Sequence, residues 1–311
     1  MKYEEIAKLL QYNKEYESKL FMPNEIFKDL KANIKNTPHI AFAYSYIYLV
    51  TWLCRYTKYI GSNESLSNPK IKEILGYNPR TQTLNYLIKK NGLLDNIGYT
   101  RIDRDLPYLT RLEDNELEFT WLSDLDDAET EKLMRRDIPK NFTIKFPVKA
   151  FNRYVEEDGD LGVAGTFFGI ENTHCIPFEV FMYCMGNEEI GCTGFYLYAY
   201  LKHKNDIFKR GYDVPLERLV EETGIADRTL DKYLNELKGY KVIRFKHNQK
   251  FFAVGLRESE RMANTYITNE YVLFEDNPVP FRRIDIMKKQ DYLEMLKEEE
   301  NLNIQLEQLP F

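Results

Sequence analysis

The stretch from Pro215 to Phe245, PLERLVEETGIADRTLDKYLNELKGYKVIRF, contains the pattern that decides the fold. Leu216, Leu219 and Val220 lie at helical spacing directly after a proline, which is typical of the start of a short helix. Gly224 is the residue type that most often ends a helix. A second helical series follows within a few residues and consists of Leu230, Tyr233, Leu234 and Leu237. The stretch therefore predicts two helices joined by a tight glycine turn.

Beyond the second helix the pattern changes from helical to alternating. Residues 243–246 alternate apolar and basic side chains, as a half-exposed strand does. A polar turn over residues 247–249 and a return through residues 250–254 complete the signature of a β-hairpin. We therefore expect a basic hairpin directly after the two helices.

A similar organisation occurs about 150 residues earlier in the chain. Three short matches relate residues 22–27 to 176–181, 46–49 to 198–201, and 80–81 to 228–229. The matches keep their order, and their offset changes only from 154 to 148 residues. A single match of this length would be chance, but three in register predict an internal duplication.

Each half has a tyrosine-rich apolar helix ahead of its helix–turn–helix segment, predicted over residues 41–56 and 193–204. The tyrosines are Tyr44, Tyr46, Tyr48, Tyr196, Tyr198 and Tyr200. Such a set could stack on nucleic-acid bases, but at helical spacing it is more typical of packing inside a protein. We therefore expect both helices to lie in the core.

The first half contains a less regular version of the helix–turn–helix pattern. Asn68-Pro69 predicts the start of its short helix, and Gly76 its end. Its second helix, predicted to start near residues 80–81, has an apolar face made of Leu84, Leu87 and Ile88. Its hairpin is less clear, with residues 93–94 predicted to pair with a strand at 117–121.

Helix, helix, glycine turn, helix and basic hairpin, in that order, resemble the winged-helix superfamily over residues 193–254 and, more weakly, over residues 41–94. The resemblance implies an α+β, mainly helical protein with two tandem winged-helix domains related by internal duplication. The predicted division is a first domain with an N-terminal extension, an acidic linker, a second domain and a C-terminal extension that is helical. Their bounds are 1–122, 123–141, 142–256 and 257–311.

The charge is unevenly distributed along the chain. The formal net charge is −6, but residues 55–104 carry nine basic and four acidic residues, and residues 198–252 carry twelve and eight. Residues 105–131 carry ten acidic residues and one arginine. Two basic modules separated by an acidic connector are compatible with nucleic-acid binding despite the negative sum.

The resemblance implies that the second helix of each unit enters the major groove of duplex DNA. Arginine, glutamine and asparagine on its outward face can pair with base edges, whereas lysine and threonine suit phosphates or single base atoms. The predicted DNA-binding residues of the first unit are Arg80, Thr81, Gln82, Asn85, Tyr86 and Lys89. Those of the second unit are Arg228, Thr229, Lys232 and Asn235 on the helix, and Arg244, Lys246, His247 and Lys250 on the hairpin.

Tandem winged helices without an enzymatic motif are similar to plasmid and phage replication initiators, and also to transcription regulators. A replication initiator is the primary prediction. A transcription regulator of the repressor type is the alternative, and a protein-interaction scaffold is the third hypothesis. Double-stranded DNA is the expected partner. Leu302, Leu306 and Leu309 form a short apolar stripe, for which packing on its own domain is favoured over a dimer seam. A homodimer and contact with the replication or transcription machinery stay open.

Catalysis, cofactors and metals are not expected. The chain lacks a nucleotide-binding loop and the common hydrolase motifs. His174 lies near Cys175, Cys184 and Cys192, but their spacing matches no compact zinc motif. The N-terminus lacks a signal-peptide pattern and no apolar run is long enough to span a membrane, so we expect a cytoplasmic protein with no membrane partner.

Overall fold

The computed structural model describes residues 1–60, 65–113, 116–135, 138–139, 141–149, 154–155, 161–162, 171–256, 262–281 and 284–307. The helices are α1 (Tyr3–Leu9), α2 (Ile26–Asn33), α3 (Thr37–Arg55), α4 (Asn68–Ile74), α5 (Asn85–Ile88), α6 (Leu93–Asn96), α7 (Ala128–Met134), α8 (Phe178–Gly186), α9 (Gly191–Ile207), α10 (Leu216–Thr223), α11 (Asp227–Gly239) and α12 (Lys289–Glu307). The strands are β1 (Lys19–Pro23), β2 (Thr100–Asp103), β3 (Pro107–Glu113), β4 (Glu116–Trp121), β5 (Ile144–Pro147), β6 (Tyr154–Val155), β7 (Leu161–Gly162), β8 (Thr173–Pro177), β9 (Tyr212–Val214), β10 (Ile243–Lys246), β11 (Phe251–Val254), β12 (Asn264–Thr268) and β13 (Asp285–Lys288). Helices combined with small, mostly antiparallel sheets confirm the predicted mixed α+β class.

Two long helices, α3 and α9, pack against each other in the centre of the protein. Thr37-Pro38 begins α3, because proline fits the first helical turn, where the backbone N–H has no partner. Every side chain from Ile40 to Cys54 is buried, which is the pattern of a helix surrounded by protein. No helix in the described part of the chain is both long and apolar enough to cross a membrane.

The tyrosines of these two helices belong to the core. All six are buried: Tyr44, Tyr46, Tyr48, Tyr196, Tyr198 and Tyr200. Their hydroxyls bond inside the protein; that of Tyr48, for example, donates to the Ile176 carbonyl at 2.8 Å. The prediction of internal packing is confirmed, and these rings are not exposed for stacking on bases.

A local two-fold relation connects the halves at β1 and β8. These strands pair antiparallel with Phe21 opposite Cys175, and the two positions are 154 residues apart. This separation equals the offset of the first sequence match. Tyr44 and Tyr196, which are separated by the 152-residue offset of the second match, also touch, with ring centroids 5.7 Å apart.

In the second half, a three-stranded antiparallel sheet with the order β10-β12-β9 packs on the helices. The predicted hairpin is wrong in its pairing, because β10 pairs with β12, while β11 pairs in parallel with β13. Burial explains the difference. Tyr266 on β12 belongs to the main core, whereas Ala253 on β11 belongs to a small separate core.

In the first half, α4, α5 and α6 precede β2, and β2 pairs antiparallel with β5. The antiparallel hairpin β3–β4 lies between them in the chain. The predicted pairing of residues 93–94 with a strand at 117–121 is wrong, since residues 93–94 begin α6 and 117–121 pair with β3. Buried Leu94 draws this segment into the core as a helical turn. Part of the predicted acidic linker forms α7.

The predicted C-terminal extension is only partly helical: it contains α12, but β12 and β13 precede this helix, and β12 is the central strand of the sheet of the second half. Tyr292 of α12 is buried with Ala253 and Leu256, and Met295 packs beside them. Leu302 is 57% exposed. The side chains of Leu306 and Leu309 lie outside the described residues, so the predicted stripe is not tested as a dimer seam.

Candidate nucleic-acid interface

The second helix–turn–helix segment has a sharply defined turn. Gly224 has a φ of 71°, in the left-handed region where glycine has no steric penalty, and its amide bonds to the Val220 carbonyl at 2.9 Å. After two further residues, α11 begins at Asp227. Leu230, Leu234 and Leu237 bury one face of α11, which leaves the opposite face to solvent.

The outward face of α11 contains the residues that the sequence predicted to contact DNA. Arg228 and Lys232 are exposed, and Thr229 and Asn235 are half-buried. The Asn235 amide donates weakly to Asp231 at 3.3 Å. In the described structure Arg228 has no ion pair, so its guanidinium is available to an external acceptor.

The basic residues after α11 are only partly on one strand. Arg244 and Lys246 are exposed on β10. His247 hydrogen-bonds Asn264 through Nδ1 at 3.0 Å. Lys250 forms an ion pair with Glu299 of α12, with Nζ and Oε1 2.6 Å apart. Two of these four residues, His247 and Lys250, are therefore already engaged within the protein.

The corresponding helix of the first half is a single turn. The prediction that it starts near residues 80–81 is wrong, because α5 begins at Asn85 and ends at Ile88. Arg80, Thr81 and Gln82 instead lie in the connection before it. The amide of Asn85 hydrogen-bonds the Gln82 side chain. Tyr86 is 40% exposed, and its hydroxyl lies 3.0 Å from His39 Nδ1.

A buried lysine explains this irregular turn. Lys72 is 3% exposed, and its ammonium donates to the Thr81 carbonyl and to Asn85 Oδ1, both at 2.6 Å. Burial lowers the Lys72 pKa. Two predicted DNA contacts thus serve as internal acceptors. The sequence assigned Lys72 only to a basic block, because spacing does not distinguish a buried lysine from a surface one.

A second buried lysine fixes the segment after α5. Lys145 of β5 is 4% exposed and places Nζ 2.6 Å from both carboxylate oxygens of Asp95. It also donates to the Lys89 carbonyl at 3.0 Å. The backbone amide of Asn91 donates to the same carboxylate at 2.9 Å. Lys89 therefore has an anchored backbone and an exposed side chain.

The two helix–turn–helix segments contact each other's central helices in a reciprocal way. At the start of α3, Thr37 donates to the Gly224 carbonyl at 2.5 Å. At the start of α9, the Cys192 thiol lies 3.4 Å from the Leu75 carbonyl, at the end of α4. These contacts, together with the strand pair β1–β8, bring both segments against the same pair of helices.

Lys238 is a further basic residue that sequence reasoning missed. Its ammonium lies 4.3 Å from the Phe245 ring centroid and 5.7 Å from that of Phe281. Burial lowers its pKa to about 8. Cation–π contacts with these rings join the C-terminal end of α11 to β10.

A metal site is not formed by the histidine and cysteines considered above. No group of three His, Cys, Asp or Glu side chains in the described part of the chain could hold a metal ion. His174 Nε2 instead lies 2.7 Å from the Tyr44 hydroxyl, and its Nδ1 lies 2.9 Å from Asn24 Oδ1. The four cysteines are free thiols.

The buried histidines predict sensitivity to mild acid. Burial lowers the His174 pKa well below its usual range, and that of His203 to about 4. Between pH 7.5 and 5.5 the unfolded chain binds protons that the folded protein does not. The free energy of unfolding should therefore fall as pH falls, by up to about 1.4 kcal/mol per pH unit for His174. Urea unfolding across this window would measure the slope.

His174→Gln is the matched variant for that experiment, because glutamine retains a donor and an acceptor but does not titrate. It should be less stable at pH 7.5 and show a shallower slope. An unchanged slope would contradict the assignment to His174.

Comparisons with protein-family models, with curated proteins and with solved structures find no match to this chain.

Proposed function

We propose that the protein binds double-stranded DNA through two winged-helix units and acts as an origin-binding replication initiator of the plasmid or phage type. The proposal rests mainly on the arrangement of helices and strands in the second half. Its chain order α9-β9-α10-α11-β10-β12 and its sheet order β10-β12-β9 are those of a winged helix. In that fold α11 is the reading helix, and its outward face presents Arg228 and Lys232.

The first half supports a second, less regular unit. There β2 and β5 pair antiparallel after α4, α5 and α6, as β10 and β12 do after α10 and α11. Because α5 is one turn long, the first unit would offer fewer base contacts. We propose that it contacts DNA through exposed Arg80 and Lys89, with Tyr86 beside them.

The proposed duplication has a consequence for the DNA target. The antiparallel pair β1–β8 and the contact between Tyr44 and Tyr196 support a two-fold relation between the units. Two units related in this way face a duplex in opposite directions, as a dimer does. The proposed target therefore has two inverted half-sites, which differ in sequence because the reading helices differ.

Selection of bound fragments from genomic and random DNA tests the function. Enrichment of repeats at an origin supports an initiator, whereas enrichment of promoter sites favours a transcription regulator. Duplex binding should also weaken steeply with salt, with a log–log slope of about −0.9 per phosphate contact. Failure to bind any DNA duplex at low salt would favour the hypothesis of a protein-interaction scaffold.

Arg228 and Arg244 are expected to have different roles. Arg228→Ala should weaken binding to the preferred site by roughly 1–3 kcal/mol and relax discrimination at one base pair, because its guanidinium fork can pair with a guanine edge. Arg244→Ala should weaken all duplexes similarly and reduce the salt slope by about one unit, because a strand position meets phosphate. Titrations of matched and single-mismatch duplexes over a salt series measure both effects.

Lys14→Ala is the control for loss of one positive charge, since Lys14 is exposed in the segment ahead of both units. It should leave discrimination unchanged. Equal weakening of all duplexes by Arg228→Ala would contradict the placement of α11 in the major groove.

A further inference from the structure

The C-terminal helix α12 lies against the segment that follows β10, on the second unit. The contact has two parts. Tyr292 and Met295 pack on Ala253 and Leu256 of the β11 region, and Glu299 holds Lys250 in an ion pair. The strand pair β11–β13 continues directly into α12, so the helix is connected to this surface through the backbone as well.

The helix is acidic and holds a basic residue of the second unit. It contains six acidic residues and two lysines. Its Glu299 pairs with Lys250, which is exposed. A negative helix beside Lys250 lowers the local positive potential that would attract a phosphate backbone.

The attachment of α12 is weaker than the packing of the other helices. Its buried contacts belong to a small cluster of three fully buried residues, Ala253, Leu256 and Tyr292, which is separate from the main core. Both side chains of the ion pair are substantially exposed, 61% for Lys250 and 46% for Glu299. Elements with few buried contacts open at low free energy, so α12 can leave without disturbing the reading helix.

We propose that α12 is an autoinhibitory cover, which competes with DNA phosphate for Lys250 of the second unit. The inference rests on the proposed DNA-binding function. In the closed state the Glu299 carboxylate neutralises Lys250. When duplex DNA is bound, a phosphate takes its place and α12 detaches.

Glu299→Gln removes the ion pair without affecting the core. Duplex affinity at low salt should rise about two- to fivefold, which is the range of an exposed ion pair. Glu300→Gln is the matched control, because it removes the same charge one residue away, where the described structure shows no ion pair. Its effect should be clearly smaller. Tyr292→Ala should release the whole helix and raise affinity by roughly tenfold.

Hydrogen exchange provides a second measurement that does not depend on the variants. Amides of α12 should exchange faster in the wild-type protein when duplex is added, because the helix detaches. Hydrogen-exchange protection of α12 that is unchanged at saturating duplex would contradict the proposed autoinhibition. Equal duplex affinities of Glu299→Gln and Glu300→Gln would also contradict it. In either case wild-type binding would leave the proposed function standing. Absence of duplex binding by the wild type and all variants would instead overturn both.

Discussion

Lys145→Met is expected to destabilise the protein by about 3–5 kcal/mol, which is the range for breaking a buried ion pair by removing one partner. The Asp95 carboxylate would stay 13% exposed after losing its only ion pair in the described structure. Its remaining donors would be the Thr100 hydroxyl and the Asn91 amide. The Lys89 carbonyl would also lose its bond. Chemical denaturation at neutral pH measures the loss.

Lys202→Met is the control, because it makes the same substitution in a pair that is much less buried. Lys202 and Asp206 are one helical turn apart on α9, and their side chains are 31% and 34% exposed. That variant should lose at most about 0.5 kcal/mol. Similar losses in the two variants would show that the pair of Lys145 and Asp95 is not an internal anchor.

If the first unit binds DNA as proposed, the same substitution should also affect that binding. Lys145 donates to the Lys89 carbonyl and pairs with Asp95, which accepts from the Asn91 amide, so this ion pair holds the backbone on both sides of the turn that follows α5. Loosening this turn should weaken contacts from the first unit and leave those of Arg228 unaffected. Binding to separate half-sites would distinguish the two effects.

Trp52→Ala is expected to destabilise the whole protein by about 3–5 kcal/mol, the range for removing a large buried aromatic side chain. Trp52 of α3 is fully buried and stacks on Phe178 of α8, with centroids 3.8 Å apart and planes 6° from parallel. Its indole Nε1 donates to the Glu17 carbonyl at 2.9 Å. The variant therefore loses a contact between the two halves, and a buried carbonyl loses its donor.

One main core cluster includes buried residues from both halves. Trp52→Ala should therefore lower the stability of both halves together, in one cooperative transition. Tyr16→Ala is the control for loss of an aromatic side chain, since Tyr16 is 71% exposed and should change stability by less than about 0.5 kcal/mol. A variant in which only the first half unfolds would contradict a shared core.

Local sequence determined the two central helices and the second helix–turn–helix segment well. The second helix–turn–helix segment was predicted from spacing alone, because the 3.6-residue period, the proline start and Gly224 all act within a few residues. The central helices were also predicted with their tyrosines inside, since long apolar series at helical spacing pack in cores. The exposed positions of Arg228 and Lys232 follow from the same periodicity.

Strand pairing was decided only by tertiary structure. The alternating pattern of residues 243–246 predicts a strand, but it does not identify the strand that pairs with it. The prediction that it pairs with the next segment along the chain was wrong. The partner β12 is set by burial of Tyr266 in the main core, while β11 is drawn to β13 and α12. Competition between these two cores involves residues more than 20 positions apart, which no local pattern contains.

The candidate site shows the same division. The sequence identified the charged residues but not whether they are buried or paired. Lys72 and Lys145 are buried, and Lys250 is paired with Glu299. Helix α5 is short because Lys72 takes the Thr81 carbonyl and the Asn85 side chain as acceptors. A buried ammonium needs such partners, because desolvation is costly unless hydrogen bonds compensate it. Composition and spacing thus determined the helical scaffold, whereas the burial of charge that shapes the site arose from residues brought together only by the fold.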